Sequence, residues 1–132
     1  MKNLPHGFTL IELLCVMAVV ALLTSFALPS FHSSQQRGQR TLAKLALMKS
    51  AHWLERAASL SGVYPSTMPD AVWQSGELHY RLTLQSQSHA FVLIATPVGS
   101  QSQDPCGQLT LNHAGERGVQ YASLSASRCW DR

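Results

Sequence analysis

Hydrophobic and polar positions divide this chain into two contrasting halves. From Phe8 to Leu28 the sequence is almost unbroken in its apolar character, with Glu12 as its one charge. At a helical rise of about 1.5 Å per residue the run reaches roughly 31 Å, about one hydrocarbon core. A helix in a soluble domain needs one apolar stripe, whereas Leu13, Leu14, Val16, Met17, Val19, Val20, Leu22, Leu23 and Phe26 surround this one. Such a helix is expected to be buried on every side, in lipid or among helices like itself. Pro29 closes the run and is expected to kink the helix, because proline removes a donor and crowds the preceding turn. Gln35 to Leu60 then continues without proline. Leu42, Leu45, Met48 or Lys49, His52, Arg56 and Leu60 recur at three- and four-residue spacing, and the alanines, Leu47, Trp53 and Leu54 widen the face. The pattern predicts one helix from about Thr9 to Ser59, packed on a sheet, with Lys44, Lys49, Glu55 and Arg56 on its wetter side.

Gly62-Val63-Tyr64-Pro65 stops the helix, the glycine as a cap and the proline as a block to continuation. Residues 66–76 read as a loop, in which Trp73 is expected to pack on the core. Beyond it the period changes to two. Leu78, Tyr80, Leu82 and Leu84 alternate with polar residues, and Gln85–Ser88 reads as a turn. Ala90 to Thr96 is more continuously apolar and suits a central strand, ended by Pro97-Val98-Gly99. Gly107 to Asn112 predicts a third strand, residues 113–118 a turn, and Val119 to Leu124 a fourth strand. Strands grouped after one helix predict an α+β architecture, the long N-terminal helix packed on an antiparallel sheet of about four strands.

Composition narrows the possibilities. In a chain of 132 residues, setting aside the N-terminal run leaves enough for one modest core. The formal charge of +3 argues neither for nor against nucleic acid. No Gly-x-Ser-x-Gly elbow and no phosphate-binding glycine loop is present, and the acids (Glu12, Glu55, Asp70, Glu77, Asp104, Glu116, Asp131) are scattered. The expectation is a chain that is not an enzyme and that carries no cofactor or metal. His32 and His52 have no metal-ligand spacing with a cysteine or an acidic pair, so His52 is read as a helix-face residue.

Three cysteines are present. Cys15 lies inside the apolar run and is read as an inert buried thiol. Cys106 and Cys129 are then the natural pair, with two free thiols as the alternative and zinc disfavoured for want of a second ligand at short spacing. A bridge closing a loop of this length contributes about 3 kcal/mol in the chain-entropy model and requires an oxidising compartment.

Gly7-Phe8-Thr9-Leu10-Ile11-Glu12-Leu13, with Pro29 and Ser30-Phe31 after the apolar run, resembles the processing signal of type IV prepilins and of type II secretion pseudopilins. The resemblance implies cleavage between Gly7 and Phe8 by a prepilin peptidase and N-methylation of Phe8. Residues 1–7 then become a leader, too short and polar for a secretory signal; its loss would remove Lys2. His6 stands where the family usually has Lys or Arg. Lys2 on one side of the run and Arg37, Arg40 and Lys44 on the other do not set the topology, and it is the resemblance that implies a cytoplasmic N-terminus. Cleavage would place a new ammonium on Phe8, four residues before Glu12. In a bundle of identical helices the Glu12 carboxylate could pair with a neighbour's ammonium and set the axial register, since an unpaired charge in an apolar bundle is strongly unfavourable. The segment Asp104-Pro105-Cys106-Gly107-Gln108-Leu109-Thr110-Leu111-Asn112, with Cys129-Trp130, resembles the C-terminal disulfide region of PilE-like minor type IV pilins. Gly62-Val63-Tyr64-Pro65 is similar to the family's sequence at the same place.

The resemblance implies a pilin fold and an organisation by residue: 1–7 leader, 8–28 transmembrane and filament-core helix, 29–61 its continuation on the sheet, 62–77 connection, 78–132 sheet and disulfide region. It implies a structural subunit of a type IV pilus, a minor pilin by its short domain, taking part in assembly and in motility, adhesion or DNA uptake. The implied partners are other pilin subunits through the N-terminal helices, the prepilin peptidase/methyltransferase, the inner-membrane assembly platform and the membrane itself. Before assembly the chain would cross the inner membrane once with its C-terminal domain in the periplasm, and afterwards it would lie in the extracellular pilus. Three alternatives remain open: a type II secretion pseudopilin, against which the Cys106–Cys129 region argues; a DNA-binding uptake pilin, for which Arg117, Arg128 and Arg132 with Tyr121 and Trp130 are candidate phosphate contacts and stacking residues; and a membrane-anchored domain that never polymerises.

Overall fold

A computed structural model of the chain describes residues 7–73 and 79–131, without the side chains of positions 27–29, 71 and 73. Eight elements follow one another among the described residues. Helix α1 spans Leu10–Ser61 and α2 spans Asp70–Trp73. Strands β1 (Tyr80–Gln87) and β2 (Ala90–Pro97) follow, then a 3₁₀ turn at Gly99–Gln101. Strands β3 (Gln108–Asn112) and β4 (Arg117–Gln120) and helix α3 (Ala126–Trp130) complete the chain. The α+β expectation holds: one long helix, then a four-stranded antiparallel meander in the order β1-β2-β3-β4.

The chain divides into two compact units, Met1–Gln35 and Gln36–Arg132. In the first, every side chain from Phe8 to Phe26 is exposed. This stretch is long and apolar enough to cross a membrane. Helix α1 runs through position 29, while the kink expected at Pro29 concerns a residue outside the described side chains. The Trp73 side chain, expected to pack on the core, and Leu78 likewise lie outside the described residues.

In the second unit α1 packs on the sheet through Ala43, Leu47 and Leu54, which join Phe91, Leu93, Ala95, Leu109 and Leu111 in one core. This corrects the expected face. Leu42 and Leu45, read as packing residues, are 48% and 54% exposed, whereas Lys44, read as a wet residue, is buried. The reason is that the helix is apolar on two opposite sides. The sheet takes the side where alanines allow close approach and where Arg40 and Lys44 find partners, described below.

Strand register explains the remaining differences. Gln85 and Gln87 belong to β1, not to a turn, because they project from the outer face and pair with Val92 and Ala90. The hairpin shrinks to Ser88-His89. At the other end β4 begins at Arg117, two residues earlier than expected, and stops at Gln120, because Tyr121 adopts a left-handed backbone (φ 54°) that no strand continues through. Gly62 (φ 80°) caps α1, its N–H reaching the Ala58 carbonyl at 2.8 Å. Tyr64 then turns back across the core. Its ring meets Phe91 edge-on at 4.9 Å, and its hydroxyl donates to Glu55 Oε1 at 2.9 Å. That bond is the main cause of a phenol pKa above the ordinary value.

Candidate functional site

Two regions carry the residues singled out by sequence. The first is the start of α1. Gly7 and Phe8 precede the helix and are exposed. Thr9 caps it: the Glu12 N–H donates to Thr9 Oγ1 at 3.3 Å, and the Thr9 N–H donates back to Glu12 Oε2 at 3.3 Å. This is a reciprocal capping box, and it sets the Glu12 carboxylate at the helix N-terminus, where the helix dipole favours negative charge. Thr9-x-x-Glu12 is the sequence signature of this box, and Glu12 is thus a capping residue as well as the one charge of the apolar run. Residues 1–6 of the expected leader lie outside the described residues.

The second region is the C-terminal segment. Cys106 and Cys129 form the expected disulfide (Sγ–Sγ 2.06 Å, Cα–Cα 5.7 Å), and Cys15 remains a free, exposed thiol. Sequence reasoning did not foresee what lies beneath the bridge. Arg40, on α1, grips Asp104 with two hydrogen bonds, Nη2 to Oδ1 at 2.6 Å and Nε to Oδ2 at 3.1 Å. Tyr80 donates its hydroxyl to Oδ2 at 2.6 Å, Gln101 Nε2 donates to the same oxygen at 2.5 Å, and the Cys106 N–H donates to Oδ1 at 2.8 Å. Burial alone would push the Asp104 carboxyl up, but hydrogen bonds from Arg40, Tyr80 and the Cys106 amide, with the Arg40 charge, hold it below its ordinary value. Burial and the bond to Asp104 push the Tyr80 phenol well above the ordinary range. Four residues along α1, Lys44 Nζ donates to the Trp130 carbonyl at 2.9 Å, and burial, then the Arg40 charge, lowers its pKa. The only sequence hint of this network was two cations on the sheet-facing side of a helix.

The candidate stacking and phosphate residues are separated by the structure. Trp130 is 7% exposed; its indole N–H donates to the Gly118 carbonyl at 2.9 Å, so the ring is part of the core and not an open platform. Its outer face carries Arg117, whose guanidinium lies 5.5 Å from the ring centroid. Arg117 and Arg128 are exposed, and Tyr121 is 89% exposed. Arg132 lies outside the described residues. The outward sheet positions Arg81, Thr83, Gln85, Thr96, Gln108, Thr110 and Gln120 are polar or basic and surround the apolar Val92 and Ile94 on the same face, and no described strand contains an aspartate or glutamate.

Comparisons with known proteins agree with this geometry. The family described as type IV minor pilin ComP, DNA uptake sequence receptor, matches residues 29–110, more than half of the chain. The prokaryotic N-terminal methylation motif matches residues 2–28. A type IV pilin structure from Shewanella oneidensis is similar at 32% identity and a TM-score of 0.56, over 68% of this chain and 98% of that one. The non-core minor pilin PilV of Neisseria meningitidis shares the fold at 20% identity and a TM-score of 0.58, over 71% and 95% of the two chains. The type IV major fimbrial protein FimA of Dichelobacter nodosus is 46% identical over 39 residues, 30% of this chain; that match spans about a quarter (24%) of the fimbrial protein. With its processing motif, its long helix on a four-stranded meander and these matches, the chain belongs to the type IV minor pilin ComP family.

Proposed function

We propose that this chain is a minor structural subunit of a type IV pilus. The observation that carries the reading is the front of α1, apolar on every side and exposed from Phe8 to Phe26, on a chain whose C-terminal unit closes its own core. A surface of that kind is stable in lipid before assembly and among like helices afterwards, where apolar burial supplies the cohesion. In this reading Gly7-Phe8 is cut by a prepilin peptidase, Phe8 is N-methylated, and the Glu12 carboxylate pairs with the new ammonium of a neighbouring subunit. Residues 8–28 form the transmembrane and filament-core segment, with the C-terminal unit in the periplasm and then on the pilus surface. The inner-membrane assembly platform is the partner that would move it. The disulfide and the family match favour this reading over a type II secretion pseudopilin. The test is the intact mass and N-terminal sequence of the protein from sheared surface filaments. A chain starting at methylated Phe8 and two hydrogens lighter than its reduced form is expected. Recovery from membranes alone, with the leader attached, would overturn the reading and favour a domain that never polymerises.

A second reading concerns what the subunit does in the filament. The acid-free outer sheet face favours contact with a polyanion, and the exposed Arg117 on β4, opposite the inward Leu111, and Arg128 on α3 add cations elsewhere on the same unit. The family's description as a DNA uptake sequence receptor makes DNA the polyanion of choice. A gel shift across a salt series is expected to show binding that weakens as salt rises. Absence of any shift at low salt would dispose of it.

A further inference from the structure

We propose that Tyr121 is a base-stacking residue, held out by a strained turn at the tip of the disulfide-closed segment; this rests on the DNA reading above. Tyr121 combines three properties that are rarely found together. It is the one non-glycine residue with a positive φ (54°) among the described residues, it is an aromatic, and it is 89% exposed. An aromatic side chain pays a steric cost in that backbone region which glycine or asparagine would largely avoid. Its side chain is not recovering that cost by packing on the core. Strain that persists without a packing reward points to use of the side chain elsewhere.

The surrounding chain is built to keep the turn. Gly107 (φ 52°) lies so close beneath it that a Cβ there would run into the Gln120 and Tyr121 carbonyl oxygens. The Ser123 N–H donates to the Pro105 carbonyl at 2.9 Å, and Cys106 is bridged to Cys129. Two unusual backbone geometries, at 107 and at 121, therefore interlock across the segment that the disulfide closes. The ring is presented from a fixed base, which reduces the ordering cost of a contact.

The chemistry around Tyr121 selects the occupant. A protein contact built on an exposed aromatic is ordinarily an apolar patch with a polar rim. Here the exposed neighbours in sequence are Gln120, Ser123, Ser125 and Ser127, with Arg117 and Arg128 as the charges, and no acid occurs between Arg117 and Trp130. An exposed aromatic ring on a segment whose other exposed residues are polar or basic fits a polyanion that also offers π-faces. Arginines then hold phosphates while the ring stacks on an unpaired or locally opened base.

The experiment compares the full chain, in detergent micelles, as wild type, Tyr121→Ala, Tyr121→Phe, Tyr121→Gly and Arg117→Ala/Arg128→Ala. Binding of a single-stranded oligonucleotide carrying 2-aminopurine is followed across a salt series. Tyr121→Ala is expected to weaken binding about tenfold with an unchanged salt slope and to lose the 2-aminopurine quench, since one stack is removed and no phosphate contact. Tyr121→Phe should keep both. The double arginine variant should lower the salt slope by about 1.4 while keeping the quench at saturation. Tyr121→Gly should lose the quench yet melt at a higher temperature than wild type, because the turn is relieved. Wild-type binding with a Tyr121→Ala affinity and quench equal to wild type would overturn this inference and leave the DNA reading standing. No binding of the single strand by the wild type at low salt would overturn the stacking inference, and no gel shift with duplex DNA either would remove the DNA reading with it. Unchanged DNA binding with loss of pilin–pilin cross-linking in Tyr121→Ala would show a protein contact instead.

Discussion

Arg40 and Asp104 are 64 residues apart in sequence, and their side chains meet at 2.6 Å in the interior, with 7% and 0% of each exposed. The pair joins the sheet-facing side of α1 to the turn that leads into the disulfide. Every oxygen of the carboxylate is occupied, by Arg40, Tyr80, Gln101 and the Cys106 amide. Satisfied in this way, a buried pair specifies one docking of the helix on the segment, while either partner alone is a buried charge.

Asp104→Ala is therefore expected to destabilise the C-terminal unit by about 3–5 kcal/mol, the usual cost of stranding a buried charge. Thermal unfolding of the full chain in detergent measures it. An Arg40→Met/Asp104→Leu double variant, which removes both charges, should recover a large part of the loss. If Asp104→Ala melted with the wild type, the pair would contribute nothing to the fold.

Acid should act through the same carboxylate. Its folded pKa lies below its unfolded value of about 3.9, so its stabilising contribution is fully present above that value and is lost as pH falls through the folded pKa. Unfolding midpoints against pH should be flat near neutrality and fall below about pH 4. In Asp104→Asn this acid limb should be shallower, from a lower plateau; a limb of equal steepness would assign the acid sensitivity to other groups.

Gly107→Ala tests the turn from its buried side. The substitution meets both a left-handed backbone and the Gln120 and Tyr121 carbonyls. A loss of about 1–3 kcal/mol is expected, with slower closure of the Cys106–Cys129 bridge during oxidative refolding. Gly115→Ala has a positive φ and open space about its Cβ, so it should cost less. Equal losses at the two positions would mean that the contact at 107 is relieved by movement of the loop.

Glu12 combines a cap with a charge, and two substitutions separate them. Glutamine can still close a capping box with Thr9 but carries no charge, whereas alanine can do neither. If the charge sets register in the filament, Glu12→Gln should be processed normally, remain in membranes and be missing from sheared filaments. Incorporation of Glu12→Gln at wild-type levels would leave the cap as the residue's whole role.

Much of the fold was legible in the sequence because its signals are local. The unbroken apolar run to Leu28, the stop at Gly62–Pro65 and the alternation through Leu82 and Leu84 each depend on neighbours within a few residues. The misplaced features are those decided at a distance. Which side of α1 meets the sheet depends on Asp104 and on the Trp130 carbonyl, far along the chain from Arg40 and Lys44. Leu42 and Leu45 match the helical period as well as Leu47 and Leu54 do, so periodicity could not choose between them. Trp130 looked like a surface aromatic near a terminus, and only the Gly118 carbonyl that receives its N–H shows why it is inside. Tyr121 carried no signal of its backbone, since φ is set by the close approach of Gly107.

The anchoring of the C-terminal segment also determines how it responds to tension. Arg40 and Lys44 hold Asp104 and the Trp130 carbonyl directly on α1, the element that continues into the apolar front of the chain. A load applied at the exposed turn is thus delivered to the shaft helix in shear, across two charged contacts and a covalent bridge. The other path runs back through β4, which ends at Gln120 beside the turn. Residues 121–129 therefore share tension between the sheet edge and the shaft helix.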